Sequence, residues 1–172
     1  MRVVAGALGG RKIVAPEGLS TRPTTDRVRE AVFNSLGSLG VIEGALVADL
    51  FAGSGAVGIE ALSRGAEHCT FVENDRQALR ALETNLRELD LDRRSRIIRS
   101  DAVSAVGTLD VDVVLADPPY DFDDWSTLLA GTSAGLVVAE AGSVVPAIDG
   151  WEQTRTRRYG RTWVSFLERT PQ

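Results

Sequence analysis

Five short apolar runs recur along the chain from residue 45 onward, separated by stretches with helical spacing. The runs are ALVADLF, CTFVE, RIIRS, DVVLA and GLVVAE, which begin at residues 45, 69, 96, 112 and 135. Two of the separating stretches, GIEALSR and RQALRALETNLREL, repeat their apolar residues every three or four positions. This alternation is typical of a mainly parallel sheet with helices on both faces, so the pattern predicts an α/β fold.

Both ends of the chain predict β-hairpins. The N-terminal RVVAGALGGRKIVAP has β-prone runs at 2–5 and 11–15 around a glycine-containing connection, which indicates a small, exposed hairpin. Near the C-terminus, Tyr159 and Gly160 separate two β-prone runs, as an antiparallel hairpin at a sheet edge requires. We therefore expect a hairpin arm over residues 1–20 and the α/β domain over residues 21–172.

A helix is predicted between the arm and the first strand. Thr24 or Thr25 is placed to cap it, and Val28, Val32 and Leu36 recur at helical spacing before Gly37. Its apolar stripe should pack against the main domain.

The composition narrows the class of protein. The 172 residues are 44% hydrophobic, which is enough for one α/β domain with a sizeable core. No apolar run is long enough to span a membrane and the N-terminus lacks a signal-peptide pattern, so we expect a cytoplasmic protein. The single cysteine, Cys69, has only His68 beside it, so we expect no disulfide and no metal, and interpret Cys69 as an apolar filler of a buried strand.

Charge is distributed unevenly along the chain. The net charge is -5, but residues 1–29 hold six basic and two acidic side chains, a balance of +4 that leaves -9 for the remainder. A second basic run near the C-terminus has no acidic residue between Glu152 and Glu168 and comprises Arg155, Arg157, Arg158 and Arg161. A basic arm on an acidic body is compatible with a nucleic-acid partner despite the negative sum.

A glycine-rich turn follows the first predicted strand. In ADLFAGSGAVGIEAL the residues Gly53, Gly55 and Gly58 form G-x-G-x-x-G between a strand and a helix, a pattern that lets the backbone approach an adenosine-type cofactor. Taken alone, the motif does not distinguish a dinucleotide from S-adenosylmethionine. The carboxylate of Asp49 suits the ammonium of S-adenosylmethionine better than it suits a pyrophosphate.

Two further carboxylates stand at predicted strand ends. Glu73, twenty residues after Gly53, is placed to accept hydrogen bonds from ribose hydroxyls. Asp101 follows the third strand, where its side chain could accept the adenine amino group while Ala102 leaves room for the ring. Because parallel strands end at one edge of the sheet, these acids are expected to converge with Asp49 around one cofactor.

The fourth strand is followed by Asp117-Pro118-Pro119-Tyr120. Two consecutive prolines fix the backbone and present the Asp117 side chain and the Pro118 carbonyl as a rigid row of acceptors. An exocyclic base amine is complementary to these acceptors, and the site can hold its nitrogen in line with an electrophilic methyl group. Tyr120 would stack on the extruded base. These four residues are the predicted catalytic set.

These motifs resemble the bacterial small-subunit ribosomal RNA guanine-N2 methyltransferases of the RsmD type. The resemblance covers nearly the whole chain and is most specific in RVVAGALGGRKIVAP and TRPTTDRVREAVFNSL, whereas DLFAGSG, FVEND and DPPY are shared with many methyltransferases. It implies a Rossmann-like class I methyltransferase fold that takes S-adenosylmethionine and methylates one guanine of 16S ribosomal RNA. The cofactor residues that it implies are Asp49, Phe51, Ala52, Gly53, Ser54, Gly55, Glu73, Asn74 and Asp101. Ser100 departs from the glycine expected there, and residues 121–150 carry no family signal.

The expected partner is 16S ribosomal RNA in the small subunit or its precursor, with no membrane contact, and we expect a monomer. The candidate RNA-binding residues are Arg2, Arg11, Lys12, Arg22 and Arg27, because such side chains neutralise phosphates. Arg22, Thr25, Asp26 and Arg27 could instead help to close the cofactor pocket. The C-terminal arginines are a further candidate for RNA contact.

Three alternatives stay open. A DNA adenine-N6 methyltransferase would also suit Asp117 to Tyr120, although the chain shows no separate base-reading domain. An NAD-dependent oxidoreductase would also have the glycine turn and Glu73, but that function would leave Asp49 and the tetrad Asp117 to Tyr120 unexplained. A non-catalytic RNA-binding module would give no reason for an intact catalytic set.

Overall fold

A computed structural model describes residues 1–16 and 24–171, with the side chains of Thr24 and Thr25 left out of the description. The helices are α1 Thr24–Leu39, α2 Ala56–Ser63, α3 Arg76–Glu88, α4 Ala102–Val106 and α5 Trp125–Gly131. The strands are β1 Leu46–Leu50, β2 His68–Glu73, β3 Ser95–Arg99, β4 Val113–Ala116, β5 Leu136–Ala141, β6 Trp151–Tyr159 and β7 Thr162–Arg169. All five predicted apolar runs are strands, and their bounds differ from the prediction by a residue or two.

The seven strands form one sheet in the order β3-β2-β1-β4-β5-β7-β6. Strands β1 to β5 are parallel, β7 is antiparallel to β5, and β6 pairs with β7 as an antiparallel hairpin at the edge. The predicted α/β fold and its C-terminal edge hairpin are confirmed. Successive strands are added on one side of β1 up to β3 and on its other side from β4 onward, so the strand order reverses at β1. A crevice opens there at the carboxyl ends of the strands, where ligands bind in such sheets.

Helices cover both faces of the sheet. Helices α1, α2 and α3 bury Phe33, Ile59 and Leu82 on one face, whereas α4 and α5 bury Val106 and Leu128 on the other. The predicted stripe of α1 is buried through Val28, Val32 and Leu36, so this helix packs on the domain as expected. In the described part of the chain, no helix is long and apolar enough to cross a membrane.

The N-terminal arm differs from the exposed β-hairpin that the sequence indicated. The chain does fold back antiparallel, but the pairing is a single bridge between Arg2 and Lys12 rather than two strands. Val3 and Ile13 lie in the core, so the arm is packed and not exposed on both sides. The physical reason is that alternate residues of so short a segment can reach the apolar surface of α1 and α2, which offers more burial than a free hairpin would.

The arm is also held by hydrogen bonds to α2. Ala7 N–H donates to the Ser63 carbonyl at 2.8 Å, and the Ser63 hydroxyl donates to the Ala5 carbonyl at 2.6 Å. Gly6 passes so close that a Cβ there would lie 2.1 Å from the Ser63 carbonyl oxygen. The GALG connection therefore fits against the end of α2, which fixes the position of the arm relative to the sheet.

Candidate functional site

The Asp49 carboxylate at the end of β1 faces the N-terminus of α2. Its Oδ2 accepts the backbone N–H of Gly58 at 2.8 Å, and the side chain is buried. Burial raises the pKa of Asp49 well above its usual range; the Gly58 hydrogen bond opposes this, and the charges of Asp117 and Glu73 add to it. A carboxylate thus occupies the helix N-terminus, which in a dinucleotide-binding turn receives the pyrophosphate.

Glu73 at the end of β2 organises the glycine turn. Its Oε2 accepts the Gly53 N–H at 2.8 Å, while its Oε1 accepts the N–H groups of Asn74 and Asp75, each at 2.8 Å. These bonds hold the carboxylate beside the turn that β1 leads into. The predicted residues Glu73, Asn74 and Gly53 are therefore brought together by direct hydrogen bonds.

Two of the three glycines of the turn, Gly53 and Gly58, have different tasks. Gly53 has φ +57° with open space where a Cβ would stand, so its backbone is accessible to a ligand. At Gly58 a Cβ would lie 2.4 Å from the Phe71 ring and 2.6 Å from the Cys69 sulfur, so this glycine allows α2 to pack on β2. Phe51 begins the turn and has φ +60°, which is a strained backbone conformation for a bulky residue. The sequence did not predict this strain.

Asp101 stands beyond the end of β3 and caps α4. Its Oδ2 accepts the backbone N–H of Ser104 at 2.9 Å and the Ser104 hydroxyl at 3.1 Å, while Ala102 behind it is buried. A cap is the more ordinary role for such an acid. Both bonds go to one oxygen, so the other oxygen of the exposed carboxyl group keeps its capacity to accept hydrogen bonds.

The predicted catalytic residues follow β4 directly. Asp117 is exposed, Pro118 is buried, and the Tyr120 ring is 52% exposed. Asp117 lies close enough to raise the pKa of Asp49, which places the two acids in one electrostatic environment. A Cβ on Gly142, just after β5, would lie 3.0 Å from the Tyr120 ring, so the ring lies over this glycine.

An aromatic contact that the sequence did not predict connects this segment to the glycine turn. The Phe122 ring packs edge-on against Phe51, with centroids 5.3 Å apart, and against Trp125 at 5.0 Å. The Phe122 N–H also donates to the Pro119 carbonyl at 3.0 Å. An aromatic residue two positions after the tetrad was the available signal. These contacts fix the tetrad relative to the turn that begins at Phe51.

Asn85 on α3 is a second residue that the sequence did not indicate. It is buried, with 1% of its surface exposed. Its amide nitrogen donates to the carbonyls of Ser54 and Val14, each at 2.9 Å, and its oxygen accepts the Val14 N–H at 2.8 Å. One side chain therefore holds both the glycine turn and the N-terminal arm.

The basic residues of the N-terminus differ in their exposure to solvent. Arg2 and Arg11 are exposed and donate to the carbonyls of Gly10 and Glu88, and exposed Lys12 lies beside them in a shallow depression. Arg27 is exposed on α1, whereas Arg22 lies outside the described residues. Arg29, part of the +4 balance, is buried, so its charge is not available to a partner.

The alternative of pocket closure is only partly described. Asp26 pairs with Arg29 at 3.1 Å, while Arg22 and the Thr25 side chain lie outside the described part of the chain.

Cys69 is buried on β2, as expected, and burial together with the Asp49 charge raises the pKa of its thiol well above the usual range. Within residues 1–16 and 24–171, no group of three His, Cys, Asp or Glu side chains could hold a metal ion.

Comparison with known proteins gives consistent matches. Residues 1–168 match the family described as conserved hypothetical protein 95. The chain is 36% identical to the "Putative rRNA methyltransferase YlbH" of Bacillus subtilis over 98% of this chain and 99% of that protein. It is 42% identical to ribosomal RNA small subunit methyltransferase D of Escherichia coli, over 70% of this chain and 60% of that protein. Among solved structures, "Putative methyltransferase yhhF" from Escherichia coli superposes with a TM-score of 0.87 at 36% identity, covering 100% of this chain and 99% of the other.

Proposed function

The chain belongs to the conserved hypothetical protein 95 family, and from this premise we propose that it methylates the exocyclic N2 of a guanine in 16S ribosomal RNA, using S-adenosylmethionine. Relatives named as ribosomal RNA methyltransferases support the ribosomal substrate class. The guanine-N2 specificity rests on the resemblance of the N-terminal motifs, whereas the chemistry of the tetrad supports an exocyclic base amine as the methyl acceptor. The substrate is the RNA in the small subunit or its precursor, and the enzyme acts in the cytoplasm as a monomer.

One observation carries the choice of cofactor. The Asp49 carboxylate accepts the Gly58 N–H and so fills the helix N-terminus that a pyrophosphate would need. A second anion there would be repelled, whereas the ammonium of a bound amino acid would be attracted. This favours S-adenosylmethionine over NAD and gives Asp49 a reason to be buried beside other acids.

The donor set of the crevice fits the rest of that cofactor. Asp49 would hold the ammonium, Glu73 the ribose hydroxyls and Asp101 the adenine amino group, with Ala102 leaving space for the ring. The glycine turn would line the cofactor pocket with Phe51, Ala52, Gly53, Ser54 and Gly55, and Asn74 would lie beside it. When bound, S-adenosylmethionine supplies an electrophilic methyl group on sulfur.

The protein's part in the reaction is to hold the base amine. The Asp117 carboxylate and the Pro118 carbonyl accept hydrogen bonds from the two N–H groups of the amine. This reduces the delocalisation of the nitrogen lone pair into the ring and directs the lone pair toward the methyl group. Pro119 keeps this turn rigid, and the half-exposed Tyr120 ring stacks on the extruded base. The nitrogen forms a bond to the methyl carbon as the bond from that carbon to sulfur breaks, and the nitrogen then loses one proton, for which the Asp117 carboxylate is the proposed acceptor.

The test is transfer of labelled methyl groups to small ribosomal subunits, naked 16S ribosomal RNA and duplex DNA, followed by nucleoside analysis. We expect N2-methylguanine in ribosomal RNA, and we expect Asp117→Ala to lower the rate by about 10²-fold or more. Asp123→Ala, which removes an exposed acid just beyond the tetrad, is the matched control and should retain activity. N6-methyladenine in DNA would instead support the adenine alternative, and no transfer to any substrate would support the non-catalytic one.

The arm is proposed to contact the RNA backbone. Arg2, Arg11 and Lys12 are exposed together on one side of the docked arm, and Arg27 and Arg22 are the further candidates from the adjoining segment. Arg11→Ala combined with Lys12→Ala should weaken RNA binding and spare cofactor affinity. Unchanged RNA affinity in this double variant would remove the arm from the binding surface.

A further inference from the structure

The four C-terminal arginines lie on the hairpin at the free edge of the sheet. Arg155, Arg157 and Arg158 are on β6, which ends the strand order, and Arg161 is in the turn that follows. All four side chains are exposed. None of them forms an ion pair with any residue that the structure describes, although the whole chain carries a net charge of -5. Alternation along β6 places Arg157 and Arg158 on opposite faces, so the four residues carry positive charge on both faces of the hairpin, and we call them the hairpin tip.

The register of the sheet places this tip beside the catalytic residues. Ala141, the last residue of β5, pairs with Trp163 on β7, and Trp163 pairs with Arg158 on β6. The residue after Ala141 is Gly142, which contacts the Tyr120 ring. Since each strand lies about 5 Å from the next, the Arg158 backbone is about 10 Å from the end of β5, on the edge where the tetrad stands.

Aromatic rings hold part of the tip in place. The Arg158 guanidinium lies 5.6 Å from the Trp163 ring centroid and also donates to the Gly160 carbonyl at 2.9 Å. The Arg155 guanidinium lies 5.7 Å from the Phe166 ring centroid. A stacked guanidinium is positioned in advance and keeps unused N–H donors, which suits a phosphate contact. Arg157 and Arg161 make no hydrogen bond with the described residues and keep all their donors.

We propose that the hairpin tip binds the phosphate backbone of the RNA next to the target nucleotide, on the side of Tyr120 that faces β5. This inference rests on the proposed function, because it assumes that the tetrad receives a base from RNA. A base extruded toward Tyr120 brings its neighbouring phosphates to the same edge of the sheet, where the tip supplies positive charge. The N-terminal arm, held on α2 and α3 over one face of the sheet, then contacts a different part of the RNA.

The test compares two double variants that remove the same charge. Arg157→Ala with Arg161→Ala removes two of the four positive charges of the tip without breaking a hydrogen bond, ion pair or ring contact between described residues. Arg93→Ala with Arg96→Ala is the matched control, because both side chains are exposed at and before β3, the opposite edge strand. The affinity of each full-length variant for naked 16S ribosomal RNA and for small subunits is measured over a range of salt concentrations.

We expect the tip variant to bind naked 16S ribosomal RNA roughly tenfold more weakly and to lower the salt slope by about 1.5, as the loss of two phosphate contacts requires. The control pair should stay near the wild type, and Arg157→Lys with Arg161→Lys should restore most of the affinity. Equal weakening by both alanine pairs would overturn the proposal, because only net charge would then matter. Weakening on subunits alone would also overturn it and would indicate a ribosomal protein as the partner.

These binding measurements do not depend on the position of methylation. If nucleoside analysis found a product other than N2-methylguanine, the proposed function would fail, while RNA affinity would still decide the role of the tip. If N2-methylguanine formed and the tip variant bound RNA like the wild type, only the present inference would fail.

Discussion

The Glu60 carboxylate lies 3.6 Å from the Arg29 guanidinium, Oε2 to Nε, and neither side chain has more than 3% of its surface exposed. Glu60 also accepts Arg64 Nε at 2.8 Å and the backbone N–H groups of Val4 and Ala5, at 2.8 and 3.0 Å. One buried carboxylate on α2 therefore joins α1 and the N-terminal arm. This explains why an acid stands in the apolar face of a helix.

Glu60→Gln should destabilise the protein strongly. The substitution keeps the shape but removes the buried negative charge between Arg29 and Arg64, which leaves Arg29 paired with the exposed Asp26; breaking such a buried pair typically costs about 3–5 kcal/mol. Urea unfolding measures the loss. Glu30→Gln, which changes an exposed acid on α1, is the matched control and should stay within about 0.5 kcal/mol of the wild type. Equal stability of the two variants would show that the pair does not support the fold.

Asp49→Asn should change how stability depends on pH. The pKa of Asp49 is raised in the folded protein, so over a range upward from its usual value of about 4 the folded state binds the proton that the unfolded state has lost. Stability must therefore fall as pH rises through that range. Asparagine cannot ionise, so the variant lacks this fall while its oxygen still accepts the Gly58 N–H.

The measurement is urea unfolding of both proteins without cofactor between pH 4 and pH 8. As pH rises, the unfolding free energy of the asparagine variant should increase relative to that of the wild type. The affinity of the variant for S-adenosylmethionine should be lower than that of the wild type. A stability difference that is constant over the whole pH series would contradict the raised pKa.

Two glycine substitutions should have opposite effects. Gly58→Ala would place a methyl group 2.4 Å from Phe71 and 2.6 Å from Cys69, an overpacking that typically costs about 1–3 kcal/mol. Gly37→Ala, in α1 with nothing within 4 Å of its Cβ, should stabilise the helix by about 0.5–1 kcal/mol. Thermal unfolding of the two variants gives the sign of each change in stability relative to the wild type. A Gly58→Ala protein as stable as the wild type would refute the packing argument.

Asn85→Ala should weaken cofactor binding although its side chain lies behind the glycine turn. The change leaves the Ser54 carbonyl and both backbone groups of Val14 without their partner, which we expect to cost about 1–3 kcal/mol. Calorimetry with S-adenosylmethionine and limited proteolysis of the arm report the two consequences. Gln77→Ala, an exposed change on the same helix, is the control. Loss of arm protection with unchanged cofactor affinity would show that Asn85 supports the arm alone.

Local patterns were enough to predict much of the site. Apolar spacing indicated five strands and three helices, and the position of Asp49, Glu73 and Asp101 at strand ends indicated a common crevice. This succeeds because the carboxyl ends of parallel strands meet at one edge whatever the details of packing. The roles of these residues toward a cofactor stay predictions, as do those of Asp117 and Tyr120.

The hydrogen-bond partners of these acids could not be predicted. Asp49 and Glu73 bind backbone N–H groups of the glycine turn, and Asp101 caps α4, because each oxygen bonds whichever donor the folded chain brings near. The arm likewise could not be recognised as a docked segment, since its contacts to Ser63 and Asn85 join residues more than fifty positions apart. No periodicity within the arm encodes such pairings.

The sequence by itself determined the order of the five parallel strands, the C-terminal hairpin, three of the helices, the glycine turn and the tetrad after β4, since these depend on short-range spacing and backbone preference. Only the tertiary structure decided that Arg29 is buried while Arg157 and Arg161 are exposed, and that the turn of the C-terminal hairpin lies beside the carboxyl end of β5. The physical reason is that burial and proximity depend on strand order and on helix packing. These bring together residues that are distant along the chain, and no local pattern specifies them.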